Sequence, residues 1–230
     1  MIRSPKVSLT LVLTLAIGIA INVAKFSNDN SFVLRPQPYE NPDELIHVWR
    51  SDRKLDFEQG RFSLPTIQQL EQACESCEEM AAYNYFGANL AGGDALPAVL
   101  TVSRLTQNLL PLLGVDSALG RTFTEDDVAS GLSLLLSHGF GQRRFGGRSD
   151  VLDETVLLND EPFTVIGVMP ADFKFPFGGV KAWVVVQPRL DKWDWDYRNF
   201  MPVVRLKPGV AREQLQAELE SLSQGIWREH

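Results

Sequence analysis

The two cysteines of this chain stand together in Cys74-Glu75-Ser76-Cys77, and no other short stretch points so directly at chemistry. In an oxidising compartment such a pair can close a disulfide or exchange thiols with another protein. It can also contribute to a zinc site, but a closed tetrahedral site needs further ligands at fixed spacing, and no second ligand pair follows. Ile67, Leu70, Cys74 and Cys77 keep the i, i+3, i+7, i+10 spacing of one helix face. That predicts both sulfurs on an inward face, where a free thiol behaves as a small hydrophobe. A structural thiol or disulfide is expected ahead of redox or metal chemistry.

The other reactive side chains do not assemble into a catalytic group. His47, His138 and His230 are scattered, and Ser137-His138 lacks the G-x-S-x-G elbow that exposes a nucleophilic serine on a sharp turn. Gly146-Gly147 and Gly178-Gly179 have neither phosphate-loop nor dinucleotide spacing and read as turns. Asp126-Asp127 and Glu78-Glu79 read as solvated helix starts or faces. The run Trp193-Asp194-Trp195-Asp196-Tyr197 can stack on a ligand, but an interface or loop plug is the favoured reading. No enzyme, cofactor or metal is expected.

The elements that must position these residues begin with an apolar segment. Val7 to Ala24 carries no charge and follows Arg3 and Lys6. At about 1.5 Å per residue it spans roughly 27 Å, close to the hydrocarbon thickness of a bilayer. A membrane anchor is favoured over a cleaved signal peptide, for which Gly18-Ile19-Ala20 is the candidate cleavage site. Either way the remainder is exported, since positive charges favour a cytoplasmic N-terminus. The net charge of −7 and sequence pI near 5.0 offer no basic stripe for a phosphate backbone, so nucleic acid is not an expected partner.

Arg35 to Glu44 is Pro-rich and reads as a linker, followed by a short strand at Leu45 to Trp49. Ser63-Leu64-Pro65 opens a helix with a capping hydroxyl and an early proline. A strand is predicted over Ala95 to Ser103 and a helix over Leu105 to Leu113, closed by Gly114. Leu119 to Asp127 forms a corner in which Thr124 caps an acidic turn, and a turn follows the apolar run Leu132 to Leu136. Thr155 to Leu158 and Phe163 to Val168 flank a four-residue turn as a hairpin, with a further strand at Ala182 to Val186. Val203 to Leu206 leads through Lys207-Pro208-Gly209 into a helix over Glu213 to Ile226, striped by Leu215, Leu219, Leu222 and Ile226. Strands and helices interleave without βαβ alternation, which makes the class α+β with a β-rich insertion.

Several stretches, taken in order, carry a resemblance: residues 15–39, LLPLLGVDSALGRTFTEDD (109–127), QRRFGG (142–147), FTVIGVMPADFKFP (163–176) and VVRLKPGV (203–210). Together they resemble the MacB-like periplasmic core domain of ABC-transporter permeases in the FtsX-like group, and most closely its orphan permeases. The positions carrying the motifs are Gly114, Gly120, Arg121, Phe123, Phe145, Gly146, Gly167, Met169, Pro170, Phe173, Arg205, Leu206, Pro208 and Gly209. The resemblance gives them structural roles.

It also implies an inner-membrane protein in four parts: a cytoplasmic tip and single transmembrane anchor (1–27), the first half of a porter-like α/β layer (28–122), a β-rich inserted subdomain (123–195), and the second half of the layer with its C-terminal helix (196–230). Two departures stand out. The family continues into three more membrane helices where this chain stops at His230, and Phe140-Gly141 stands where the family has a Trp. The expected function is a non-catalytic interaction or mechanical-coupling module of a truncated or split permease. Expected partners are the membrane, other permease subunits, an ATPase subunit or a periplasmic adaptor. The alternatives are an independent membrane-anchored periplasmic ligand-binding protein using Trp193 to Tyr197 and, third, a thiol-disulfide enzyme resting on Cys74 and Cys77.

Overall fold

The computed structural model describes residues 39–52, 57–91, 97–147, 149–187 and 194–229. The expected anchor, Val7 to Ala24, lies outside them, and among the described residues no helix is long and apolar enough to cross a membrane.

The chain enters through a 3-10 turn, Pro42–Glu44, into β1 (Leu45–His47), then forms a small hairpin of β2 (Arg50–Asp52) and β3 (Phe57–Gly60). Helix α1 (Leu64–Ala73) starts where Ser63 Oγ accepts the amide N–H of Thr66 at 3.4 Å. Then come β4 (Cys77–Ala91), β5 (Ala98–Leu105), α2 (Leu109–Leu112), β6 (Leu119–Gly120), α3 (Glu125–Ser130), β7 (Ser133–Leu136) and α4 (His138–Phe145). The hairpin β8 (Thr155–Leu158) and β9 (Glu161–Val168) precedes β10 (Val180–Val185), β11 (Met201–Leu206) and the C-terminal helix α5 (Arg212–Glu229).

Nine strands form one sheet in the order β1-β11-β4-β5-β10-β7-β9-β6, and β8 bridges β9 back to β4. That bridge closes β4, β5, β10, β7, β9 and β8 into a ring, a barrel with no free edge of its own. Side chains alternate across it. Leu134 and Leu136 of β7, Ala182 and Val184 of β10, and Phe163 and Val165 of β9 share one buried cluster with Val102 of β5 inside the ring. Leu135, Trp183 and Ile166 point the other way, into a second cluster with Tyr83, Phe173 and Phe175.

Strand β4 joins this barrel to the open end of the sheet. Its first half pairs with β11 and sends Met80 and Ala82 beneath α1 and α5, while its last residues pair with β8 and send Ala88 and Leu90 into the barrel. Both faces are covered, so β4 shows no clean polar alternation, and the sequence reading passed over it. Glu78-Glu79, expected at a helix start or face, belong to this strand.

Several boundaries differ from expectation. Helix α1 ends at Ala73, so Cys77 lies on β4 and not on the helix face with Ile67 and Leu70. The helix expected from Leu105 is the single turn α2, because Val102 to Leu105 is drawn into β5. The turn expected at Ser137 is a helix start: Ser137 caps α4, and Gly146 ends it at φ 68. The β8–β9 turn has two residues, Asn159 and Asp160, both at positive φ, the backbone twist that suits a tight hairpin. Of the linker expected over Arg35 to Glu44, residues 35–38 lie outside the described residues, Tyr39 packs half-buried on the core, and Pro42–Glu44 form the 3-10 turn. Strands from 28–122, 123–195 and 196–230 share the one sheet, and Pro38–His230 group as a single unit.

Candidate functional site: a cradle for the entry segment

Glu40, where the chain enters the domain, is held from three sides. Its amide N–H donates to Leu113 O at 3.1 Å, its carbonyl accepts from Arg205 Nη2 at 3.0 Å, and its side chain lies over Gly114. Gly114 has φ +67, and a Cβ there would stand 2.6 Å from Glu40 Cβ. Only glycine leaves room for the entry segment at that turn.

Arg205 on β11 gathers the rest. One nitrogen faces Glu44 Oε2 at 3.3 Å, and the other also donates to Leu112 O, the end of α2. The side chain is 11% exposed, so its charge relies on these partners for what water would supply. A planar fork with several donors suits acceptors lying in different directions, which an ammonium does not match. Just beyond, Arg212 at the start of α5 donates to Asp43 O at 3.1 Å. The entry segment Tyr39–Glu44 is thus tied to the strand and helix through which the chain leaves.

A second tie holds the far side of the exit helix. Cys74 and Cys77 are joined in a disulfide, both buried in the cluster under α1 and α5. The loop between them gives the N–H groups of Glu75 and Ser76 to the two carboxylate oxygens of Glu218 on α5, the second at 3.0 Å. Lys207 grips the same loop, its amide donating to Ser76 O at 3.0 Å and its ammonium to Glu75 O at 2.7 Å. Partial desolvation works against the Glu218 charge, but the Ser76 hydroxyl, the two amides and Lys207 outweigh it and hold its pKa below the ordinary value.

The third tie is the corner Leu119 to Asp127. Thr124 and Asp127 form a reciprocal capping box, and Asp127 also accepts from Arg121 at 3.1 Å and from the Ser133 hydroxyl at the start of β7. Burial alone would raise the Asp127 pKa; these donors overcome it and push the carboxyl well below its usual range.

The remaining motif residues serve the core. Phe123, Met169 and Phe173 pack in the cluster around Trp183, Leu206 lies beneath α5, and Phe145 fills the barrel. Trp183 Nε1 donates to Phe175 O at 2.9 Å, and the Tyr83 ring meets that of Phe175 edge-on at 4.7 Å. The strand-turn-hook at 163–176 therefore closes the core, with Phe173 N–H returning to Pro170 O at 3.2 Å. Gly209 takes φ +82 in the Lys207-Pro208 turn that launches α5.

Trp193 falls outside the described residues. Trp195 packs half-buried beside α5's core, and Asp194 Oδ1 accepts the Tyr197 amide at 2.8 Å, so this run folds into a turn. Among the described residues no three His, Cys, Asp or Glu side chains converge as a metal site. A groove of about 620 Å³ runs between β1 and α5, lined by Val48, Trp49, Leu215 and Glu220 among others. Sequence reasoning missed Glu40, Asp43, Glu44, Arg212 and Glu218, because lone charges in a linker or on a helix carry no local sign of a distant partner.

The sequence profile of the MacB-like periplasmic core domain matches residues 8–222. The chain belongs to that family. No curated protein sequence matches it. Among solved structures, the periplasmic region of MacB from Actinobacillus actinomycetemcomitans superimposes with TM-score 0.62 at 17% identity, over 81% of this chain and 87% of that one. A domain of a putative permease from Porphyromonas gingivalis gives 0.59 at 17% identity, over 73% and 72%. The extracellular domain of the noncanonic ABC-type transporter YknZ from Gram-positive bacteria gives 0.56 at 18% identity, over 76% and 88%. At these identities the likeness is one of fold, and it gives the MacB-like domain its mixed α+β class. The five motif stretches all fall inside the matched span.

Proposed function

We propose that this MacB-like domain works as a non-catalytic coupling module of an ABC-transporter-type permease. In that reading it stands on the extracytoplasmic side of the inner membrane, on a single N-terminal anchor, and passes mechanical change between membrane segments and partners in an export complex. The observation that supports it most is the cradle: Arg205 and Arg212 fasten the entry segment to the exit strand and helix. Displacement of the entry segment is then passed to β11, because pulling the partners away from the 11% exposed Arg205 leaves a charge short of both water and hydrogen bonds. In this reading residues 28–122 and 196–230 are the porter-like part and residues 123–195, which contribute β7 to β10 to the shared sheet, are the inserted part. An ATPase subunit, other permease subunits or a periplasmic adaptor are the partners proposed for it.

Affinity purification of the full chain from detergent-solubilised membranes tests this. Co-purification of permease or ATPase subunits, reduced by Arg205→Ala, is the expected result. Recovery of intact chain only from the soluble cytosol would overturn it. The groove beside Trp49 supports a second reading, a membrane-anchored ligand-binding protein. A saturable tryptophan fluorescence change with apolar or peptide ligands, without any co-purifying subunit, would favour that one.

A further inference from the structure

We infer that the Cys74–Cys77 disulfide is a redox-controlled clasp that holds the C-terminal helix α5 on the domain. The helical spacing of Ile67, Leu70, Cys74 and Cys77 continues past the point where α1 stops at Ala73. In a continued helix, the N–H groups of Glu75 and Ser76 would turn back to carbonyls four residues earlier. In the turned loop those two N–H groups meet the Glu218 carboxylate instead, and the Glu75 and Ser76 carbonyls meet Lys207. The two conformations exclude each other. The covalent bridge between Cys74 and Cys77 selects the one that grips α5.

The grip adds a polar tie at Glu218, midway along α5, to the apolar contacts of the opposite face. Helix α5 is amphipathic and is held by Leu215, Leu219 and Ile226 against the cluster beneath it. Such a helix draws most of its stability from packing its apolar face and not from intrinsic propensity, so its order depends on staying docked. Reduction by a dithiol breaks the Sγ–Sγ bond: two electrons and two protons pass to the cysteines, leaving two thiols, while the dithiol closes to its own disulfide. The cysteines are 9% and 7% exposed, so the reductant must be small or the loop must open.

The test is hydrogen exchange on the full chain in detergent, oxidised and after treatment with dithiothreitol, with Cys74→Ser/Cys77→Ser and Glu218→Gln alongside. The expected result is exchange of the α5 amides faster by about tenfold on reduction and in both variants, with the barrel strands β7, β9 and β10 unchanged. The Glu218→Gln chain, still oxidised, should respond little further to dithiothreitol. Equal α5 exchange in the oxidised and reduced chain would overturn the inference. So would acceleration of α5 and barrel together, which would make the disulfide a general brace. If the double serine variant fails to fold, reduction of the folded wild-type chain gives the same readout.

Discussion

Gly120 and Gly167 face each other across the β6–β9 pair, and backbone fills the space in which a Cβ on either would have to stand. A Cβ on Gly120, which has φ +76, would lie 2.3 Å from Ile166 O, and one on Gly167 would lie 2.5 Å from Arg121 O. Neither contact can be relieved by the swing of a flexible side chain.

Gly167→Ala and Gly120→Ala are therefore each expected to cost on the order of 2 kcal/mol, as overpacking and backbone strain do. Gly225→Ala is the matched control: it sits within α5 with nothing near a Cβ, and should stabilise by roughly 0.5–1 kcal/mol. Denaturant melts of the full chain in detergent check all three. Equal melts for Gly167→Ala and wild type would show that the β6–β9 approach is looser than the structure has it.

Arg205→Ala should loosen the entry segment and lower stability by about 2–3 kcal/mol, the scale of hydrogen bonds to a charged group that leave partners unpaired. Arg205→Lys should recover little, because one ammonium cannot reach Glu44, Glu40 O and Leu112 O together. Limited proteolysis supplies the local readout: cleavage near Tyr39–Glu44 should accelerate in both variants. Cleavage at the wild-type rate would remove Arg205 from the cradle.

Asp127 should dominate one part of the acid response. Its folded pKa is depressed, so its stabilisation is complete above the unfolded value of about 3.9 and is lost as pH falls below it toward the folded value. Asp127→Asn should cost on the order of 2 kcal/mol at neutral pH and flatten the acid limb of a stability-versus-pH curve. Parallel acid limbs for variant and wild type would mean that other carboxylates carry the transition.

Leu219→Asp should destabilise the domain by roughly 3 kcal/mol or more, since it buries an unpaired carboxylate where a leucine is 7% exposed. Leu222→Asp, half-buried at the edge of the same stripe, should cost less. An unchanged thermal midpoint for Leu219→Asp would show that α5 does not belong to the core.

What could be read from the amino-acid sequence was local. Ser63 and Thr124 as caps, Gly114 and Gly146 as turn glycines, the β8–β9 hairpin and the leucine stripe of α5 each depend on a few neighbouring residues, and a turn that needs positive φ shows as glycine at Gly114 and Gly146 or as Asn159-Asp160 in the hairpin. The family was legible for the same reason, since its motifs are mostly such turns and the apolar runs between them. What the tertiary structure decided was everything set by distant partners. Cys77 continues a helical pattern yet lies in β4, because pairing with Leu206 and the bridge to Cys74 outweigh a periodicity worth little by itself. Closure of the barrel through Leu90 and Leu158, the Glu44–Arg205 pair 161 residues apart, and the meeting of Glu75 with Glu218 across 143 residues have no local sign. A single charge or a half-polar strand is compatible with many partners, and only the packed chain selects one.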